Sequence, residues 1–304
     1  MKMDNEIEGF WNQNPVGSNF VEYQSGKAFY EDYDRFRYRT EGHILDELDQ
    51  IDFSDKSVLE IGLGQGADSM QIIKRGAIYY GIDLTEESVK RLKERFALYE
   101  LPYKEVRKAN AQTIPYGDNF FDIVYSHGVI HHSPEIKKIV SEIHRVLKPG
   151  GKAIIMLYHK NSFNYYISIG LLRRTGLILL LIFPFLVKLV SKLTSESVER
   201  INGHRKNFKS LGWKYFTMKE FLHKSTDGPD NIYSSVWNSN TSSKLFKEFD
   251  NIKFKIHFLN ERHLLGVQKI LSNGMKNKLA RMYGWHLWIF AEKKLKFEFI
   301  GDSG

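Results

Sequence analysis

VLEIGLGQGAD, residues 58–68, runs an apolar strand straight into Gly62, Gly64 and Gly66 and then into a helical pattern. Glycine at these points lets the backbone turn tightly and lets a ligand approach the main chain where a side chain would collide. The helix that follows offers unpaired N–H groups at its start. Asp83 ends the next strand-like run about 20 residues on, where a carboxylate can accept hydrogen bonds from both hydroxyls of an adenosine ribose. Strand, glycine turn, helix and second strand with an acidic tip make a nucleotide-binding βαβ unit, and the rest of the chain is read outward from it.

Between Ser57 and Leu157 short β-branched runs alternate with helical patterns, which predicts an α/β domain on a mostly parallel sheet. SVLEI (57–61), YYGI (79–82), KEVRK (104–108), FDIVYS (121–126) and KAIIML (152–157) are the predicted strands. Thr85 is placed to cap a helix whose Val89, Leu92, Phe96 and Tyr99 share one face. Ser133 and Pro134 are placed to start another, with Ile136, Ile139, Val140, Ile143, Val146 and Leu147 as its core stripe and Pro149-Gly150-Gly151 as its stop. Residues 1–50 are aromatic-rich and predict a helical lead-in over the sheet. Residues 51–160 are the predicted cofactor-binding core and 161–245 an insertion carrying specificity. Within 246–304, IKFKIHFL (252–259) and GWHLWIFAEKK (284–294) are expected to complete the sheet as an antiparallel pair.

The 304 residues are 42% hydrophobic, enough for a sizeable core and against disorder as the main state. With no cysteine, disulfides, cysteine nucleophiles, zinc–cysteine sites and iron–sulfur clusters are excluded, and a reducing, cytoplasmic setting is expected. The formal charge of +8 favours anionic partners without choosing among them. MKMDNEIEGF does not read as a secretory signal. The most apolar run, Thr175 to Val187, is broken by Pro184 and falls short of the ~18 to 20 residues of a bilayer crossing. Residues 171–190, with Arg173, Arg174 and Lys188 at their flanks, are instead expected to be a buried helix, a lid over a greasy substrate, or a peripheral contact with the inner face of a membrane.

Two cofactors suit the glycine loop. Written Gly62-x-Gly64-x-x-Ala67, it fits a dinucleotide fingerprint and hence a nicotinamide oxidoreductase. Glu60 argues against that, because a carboxylate at the strand tip repels a pyrophosphate but suits the ammonium of an amino-acid-bearing cofactor. Glu60-x-Gly62-x-Gly64-x-Gly66, Asp83, Asn110-Ala111, FDIVYSHGVIHH (121–132) and LKPGG (147–151) together resemble the class I S-adenosylmethionine-dependent methyltransferases, particularly the quinone and small-molecule group. The resemblance covers about residues 55–160. It implies a Rossmann-like seven-stranded sheet with helices on both faces and the last strand antiparallel. It also implies S-adenosyl-L-methionine bound by Glu60, Gly62, Gly64, Gly66, Asp83, Leu84, Asn110, Ala111 and Ser126, the last mainly through its backbone. Asn110 departs from the family's acidic residue, although its amide oxygen could accept a bond from the adenine amino group.

His127, His131 and His132 follow the fourth predicted strand and are the catalytic candidates. A neutral imidazole can take a proton from a substrate hydroxyl, amine or acidic carbon, while hydrogen-bonded histidines that merely shape a pocket are the alternative. His127 and His131 have the spacing of a metal pair but no third ligand in sequence, so no metal is expected. Tyr23, Tyr30 and Tyr38 with Arg37 are candidates to cover the cofactor and meet its carboxylate, against a packing role. His257, Asn260, Glu261, Arg262 and His263 with Asp227 and Asp230 could form an acceptor pocket or be surface polarity. The expected acceptor is a small molecule or a lipid-linked metabolite. Nucleic acid is disfavoured, because the Asn/Asp-Pro-Pro-aromatic signature is absent and the basic residues are dispersed. A non-catalytic cofactor-binding scaffold is the remaining alternative.

Overall fold

The computed structural model describes residues 2–17, 26–194, 196–259 and 270–295. Seven strands, β1 (Ser57–Ile61), β2 (Ile78–Asp83), β3 (Glu105–Lys108), β4 (Phe121–His127), β5 (Leu147–Tyr158), β6 (Phe249–His257) and β7 (His286–Lys293), form one sheet in the order β3-β2-β1-β4-β5-β7-β6. β1 to β5 pair in parallel, and β7 runs antiparallel to both β5 and β6. This is the Rossmann-like seven-stranded sheet the resemblance implies. Its strand order reverses at β1, and the crevice beside β1 and β4 at their carboxyl ends is where such sheets bind ligands.

Alternation along β1 shows why the sheet needs two covering layers. Leu59 and Ile61 face one side with Val124, Ile155 and Ile289, under the helix Ile136–Val146. Val58 faces the other side with Tyr125, Ile154 and Trp288, under the helices Ala67–Lys74, Glu86–Tyr99 and His43–Leu48. A strand buried on both faces reads as a continuous apolar run, as SVLEI does. Thr85 caps its helix as expected, its side chain accepting the Ser88 N–H.

Two boundaries differ from the sequence reading. The helix expected from Ser133-Pro134 begins at Ile136; Ser133 Oγ instead accepts the Glu135 N–H at 3.1 Å in the turn before it. That helix stops at Val146 without Pro149-Gly150-Gly151, which lies inside β5. The N–H groups of Asn119 and Phe120 take the carbonyls of Arg145 and Val146, and Leu147 then pairs with Phe121, so sheet pairing captures the chain first.

Residues 161–245 are mostly helical. A wide-turned helix Asn164–Arg173 continues into Arg174–Ile182 and is followed by Val187–Thr194, Val198–Leu211 and Met218–Thr226. Ile169, Leu177, Tyr215, Phe216 and Phe221 form a core of their own that joins the sheet through Trp285. Leu180, Val187 and Ile201 form a smaller one beside it. Because helix begins at Asn164, upstream of the apolar run, Asn164–Ile182 spans 19 residues and by length and composition alone is long and apolar enough to cross a membrane.

The lead-in helices Lys2–Gln13 and Lys27–Thr40 rest on the glycine-turn end of the domain. Arg95, fully buried, pairs with Asp34 and donates to the Gln65 carbonyl at 3.1 Å, locking the second lead-in helix to that turn.

Candidate functional site

The glycine turn is built by its own backbone. Gly62 N–H donates to the Ile82 carbonyl at 2.9 Å, and Gly62, Gly64 and Gly66 all have positive φ, at 84°, 51° and 73°. Gly62 and Gly64 line a cleft at the carboxyl ends of β1, β2 and β4, whereas Gly66 does not. A Cβ on Gly66 would lie 2.4 Å from Leu92 Cδ1, so glycine is required there by the helix packed behind the turn. Gly66→Ala is therefore expected to lower stability by about 2 to 4 kcal/mol through left-handed strain and overpacking. Denaturant unfolding should show this loss, while ligand affinity of the folded fraction stays near wild type.

Asp83 forms the floor of the cleft. Its Oδ2 accepts the Leu63 N–H at 2.7 Å, and its Oδ1 accepts the Thr85 N–H at 2.8 Å and hydroxyl at 2.7 Å. Burial raises its pKa, against the lowering effect of these bonds. The carboxylate thus fixes the glycine turn relative to β2, with both Oδ1 lone pairs engaged and Oδ2 the oxygen that would meet a ribose hydroxyl. Leu84, Asn110 and Ala111 continue the wall. Asn110 Oδ1 already accepts the Gln112 N–H at 2.9 Å, so the predicted adenine-amino acceptor is engaged in a local turn.

Glu60 sits deep in the cleft, but its Oε2 accepts short bonds of 2.5 Å from both Ser69 Oγ and Tyr79 OH. Burial pushes its pKa up to about 8 against those bonds. Both bonds brace β1 against β2 and the following helix through Oε2, and Oε1 is the oxygen that would meet the predicted ammonium. Asp68, at the end of the glycine stretch, is a second anionic group in the cleft. It accepts from Arg37 Nε at 3.0 Å and Nη2 at 2.7 Å, from Tyr125 OH at 2.9 Å and from Tyr38 OH at 3.2 Å. Burial alone would raise its pKa; the Arg37 guanidinium, His127 and the bonds from Arg37 and Tyr125 hold it well below the carboxylate range. Arg37 and Asp68 both line the cleft.

The other predicted residues divide. Ser126 is fully buried off the cleft, donating to the Ile61 carbonyl at 2.9 Å. His127 lines the cleft with Arg37 Nη2 3.3 Å from its Nδ1, and its Nε2 has no hydrogen-bond partner among the described residues. Burial and the Arg37 charge bring its pKa down to about 3. His131 does not reach the cleft; it is fully buried with its ring 3.9 Å from that of Tyr158, and neither ring nitrogen has a hydrogen-bond partner among the described residues. His132 does line it. The Tyr233 carbonyl 2.9 Å from Nδ1 can only accept, so the proton sits on Nδ1 and Nε2 carries a lone pair, with Asp227 Oδ2 3.6 Å away. Tyr158 OH donates to Asp227 Oδ1 at 3.2 Å, and Trp11 meets the His132 ring edge-on at 5.1 Å.

His127 and His131 do not converge. His127 meets His43 and His286 instead, the three offering nitrogens within 4.8 Å of one another, with His43 Nε2 3.1 Å from His286 Nδ1. Arg37, donating into His127, places a positive charge beside this cluster and opposes a dication there. Tyr30 is buried away from the cleft with its OH on the Arg91 carbonyl. Tyr23, Asn260, Glu261, Arg262 and His263 lie outside the described residues. The polar pocket expected from them does not form among the remaining members: His257 bonds Glu47 at 3.0 Å, Asp227 turns to Tyr158 and His132, and Asp230 is exposed.

Residues 59–155 match a family described as a methyltransferase domain. The phthiotriol/phenolphthiotriol dimycocerosates methyltransferase of Mycobacterium tuberculosis is 32% identical over 104 residues, 34% of this chain and 37% of that protein. A sterol 4-C-methyltransferase of Caenorhabditis elegans is 31% identical over 114 residues, 37% of this chain and 34% of that one. The chain thus spans about a third of the length of these curated relatives. A solved S-adenosylmethionine-dependent methyltransferase from Thermotoga maritima shares the fold at TM-score 0.50 and 17% identity, covering 88% of this chain and 97% of that one.

Proposed function

We propose, from the match of residues 59–155 to a methyltransferase domain and the fold shared with an S-adenosylmethionine-dependent methyltransferase, that the chain catalyses methyl transfer from S-adenosylmethionine to a small-molecule or lipid-linked acceptor with His132 as the proton acceptor. The cleft fits the cofactor chemically. Asp83 offers a carboxylate to a ribose hydroxyl, Gly62 and Gly64 make the turn beside it with Val129 and Val16 packed over them, and Leu84, Asn110 and Ala111 would meet the base. Glu60 and the Arg37–Asp68 ion pair line the cleft as the groups an amino-acid zwitterion would meet. The same Asp68 carboxylate opposes a pyrophosphate at this helix start, which disfavours a nicotinamide cofactor. When bound, S-adenosylmethionine supplies a methyl carbon already activated on a sulfonium, so positioning the nucleophile contributes more than a strong base.

His132 carries the reading. It lines the cleft, the Tyr233 carbonyl takes its Nδ1–H, and its Nε2, buried 3.6 Å from Asp227 Oδ2, is the nitrogen that would take the proton, with Asp227 placed to stabilise the imidazolium. The curated relatives named for a lipid-type or sterol substrate support an apolar acceptor. Calorimetry with S-adenosylmethionine, S-adenosylhomocysteine and NAD tests the cofactor; a preference for NAD would sink the proposal. Labelled cofactor incubated with a cell extract identifies the acceptor. On that acceptor, His132→Ala is expected to lower kcat about 10²- to 10⁴-fold with cofactor affinity unchanged, and a variant of wild-type kcat would remove His132 from the chemistry.

A further inference from the structure

From Asn161 to Ser195 the sequence contains no Asp or Glu, but four cations, Arg173, Arg174, Lys188 and Lys192. In the fold this stretch is a hairpin, Asn164–Ile182 turning through Pro184–Leu186 into Val187–Thr194. Its inner side, Ile169, Leu177, Leu180 and Val187, is buried in the helical cores. Its outer side is not covered: Leu179 is 52% exposed, Ile182 62%, Phe183 43%, Phe185 77%, Leu189 53% and Leu193 76%. Leu179 stands three and four residues from Ile182 and Phe183, and Leu189 four from Leu193, so each row lies on one helix face. Exposed Lys188 and Lys192 run alongside the second row. An apolar row of this extent on a protein surface marks an interaction site.

We propose that this hairpin docks the protein in the plane of an anionic lipid bilayer, with Phe183 and Phe185 at the tip entering the acyl boundary and Lys188 and Lys192 meeting the headgroups. Charge and burial choose this occupant. A two-fold copy of the chain on this face would set Lys188 and Lys192 against their own like charges, with no acidic residue in the stretch to offset them. A bilayer crossing by Asn164–Ile182 would strip Ile169 and Leu177 from Tyr215, Phe216 and Phe221 and Leu180 from Val187 and Ile201, and would break the 2.6 Å bond from Arg173 to the Ser225 carbonyl. An in-plane helix keeps those contacts and wets only its polar edge. The same bond ties the hairpin to the segment carrying Asp227.

The proposal goes beyond the methyltransferase reading and is tested without cofactor, so the two can fail separately. The full chain is sedimented with vesicles of equimolar phosphatidylglycerol and phosphatidylcholine, and with phosphatidylcholine alone. Binding to the anionic vesicles should exceed that to the neutral ones by about 30-fold and weaken with salt, the effect expected of two lysines near a charged surface. Phe183→Ser with Phe185→Ser, and separately Lys188→Glu with Lys192→Glu, should each abolish most of it without changing the melting temperature, since these side chains contribute to no core. Four results would overturn the proposal. They are equal binding to both vesicles, wild-type binding by the aromatic variant, extraction from membranes only with detergent, and a concentration-dependent dimer in ultracentrifugation that the variants dissociate while vesicles bind nothing.

Discussion

Acidification from pH 7.5 to pH 5 is expected to lower the stability of this protein. Burial lowers the pKa of His43 to about 2 and, with the Arg37 charge, that of His127 to about 3. Burial depresses His131 and His286 as well, with neighbouring histidine charges adding to the effect. The folded state keeps all four neutral, whereas the unfolded chain binds protons as the pH falls below the ordinary value of about 6.5. Their contribution is therefore present in full above pH 6.5 and is lost as the pH falls towards the folded values. Each site changes stability by about 1.4 kcal/mol per pH unit. Glu60, raised to about 8 by burial, works in the opposite direction and offsets one of the four. Raised Glu41 and Asp83 add to the offset and lowered His204 adds to the loss, leaving a net loss on the order of a few kcal/mol against the roughly 5 to 15 kcal/mol of a typical domain. Urea unfolding at pH 7.5, 6 and 5 measures it, and equal midpoints would contradict it. His131→Phe isolates one site: neither of its nitrogens has a hydrogen-bond partner among the described residues, so an apolar ring of similar shape should raise stability at pH 5 and flatten the pH slope.

Asp83→Ala is expected to weaken S-adenosylhomocysteine binding about 10- to 150-fold, the loss of an ionised acceptor worth about 1.5 to 3 kcal/mol. The same change leaves the Leu63 N–H and the Thr85 N–H without their acceptor, so the glycine turn loses its tie to β2 and the melting temperature should also fall. Asp83→Asn keeps an oxygen for one of those donors and should be intermediate in both measurements. Calorimetry and thermal unfolding on the same preparations separate the effects. Wild-type affinity in the alanine variant would move the ribose away from β2.

Most of the sheet was legible because its strands are apolar on both faces and lie between helices with clear periodicity. β1 matches SVLEI at both ends, and the pairing of β6 with β7 follows from IKFKIHFL and GWHLWIFAEKK. The end of the helix before β5 was misread because Pro149 and Gly150 look like a stop, whereas Gly150 takes a positive φ within the strand. The cleft floor was legible at Gly62, Gly64 and Asp83, since turn chemistry is local. Asp68 was missed as the ionised group, though it ends the glycine stretch, because only the fold brings Arg37, Tyr38 and Tyr125 to it. Nor could spacing reveal the meeting of His43, His127 and His286 from three distant parts of the chain. Leu180 and Phe183 read alike as hydrophobic letters; the fold buries the first and leaves the second 43% exposed.

The place of β7 in the sheet has a consequence for biosynthesis. β5 and β6 are both made before the strand that must lie between them, so until residues 286–293 leave the ribosome β5 presents an unpaired apolar edge and β6 has nothing to hold it. The long-range pairing of Ile155 with Ile289 closes that gap late, and closing loops of this length is slow. Nascent chains halted before β7 therefore carry a sticky edge of the kind that chaperones shield and that aggregates when left bare.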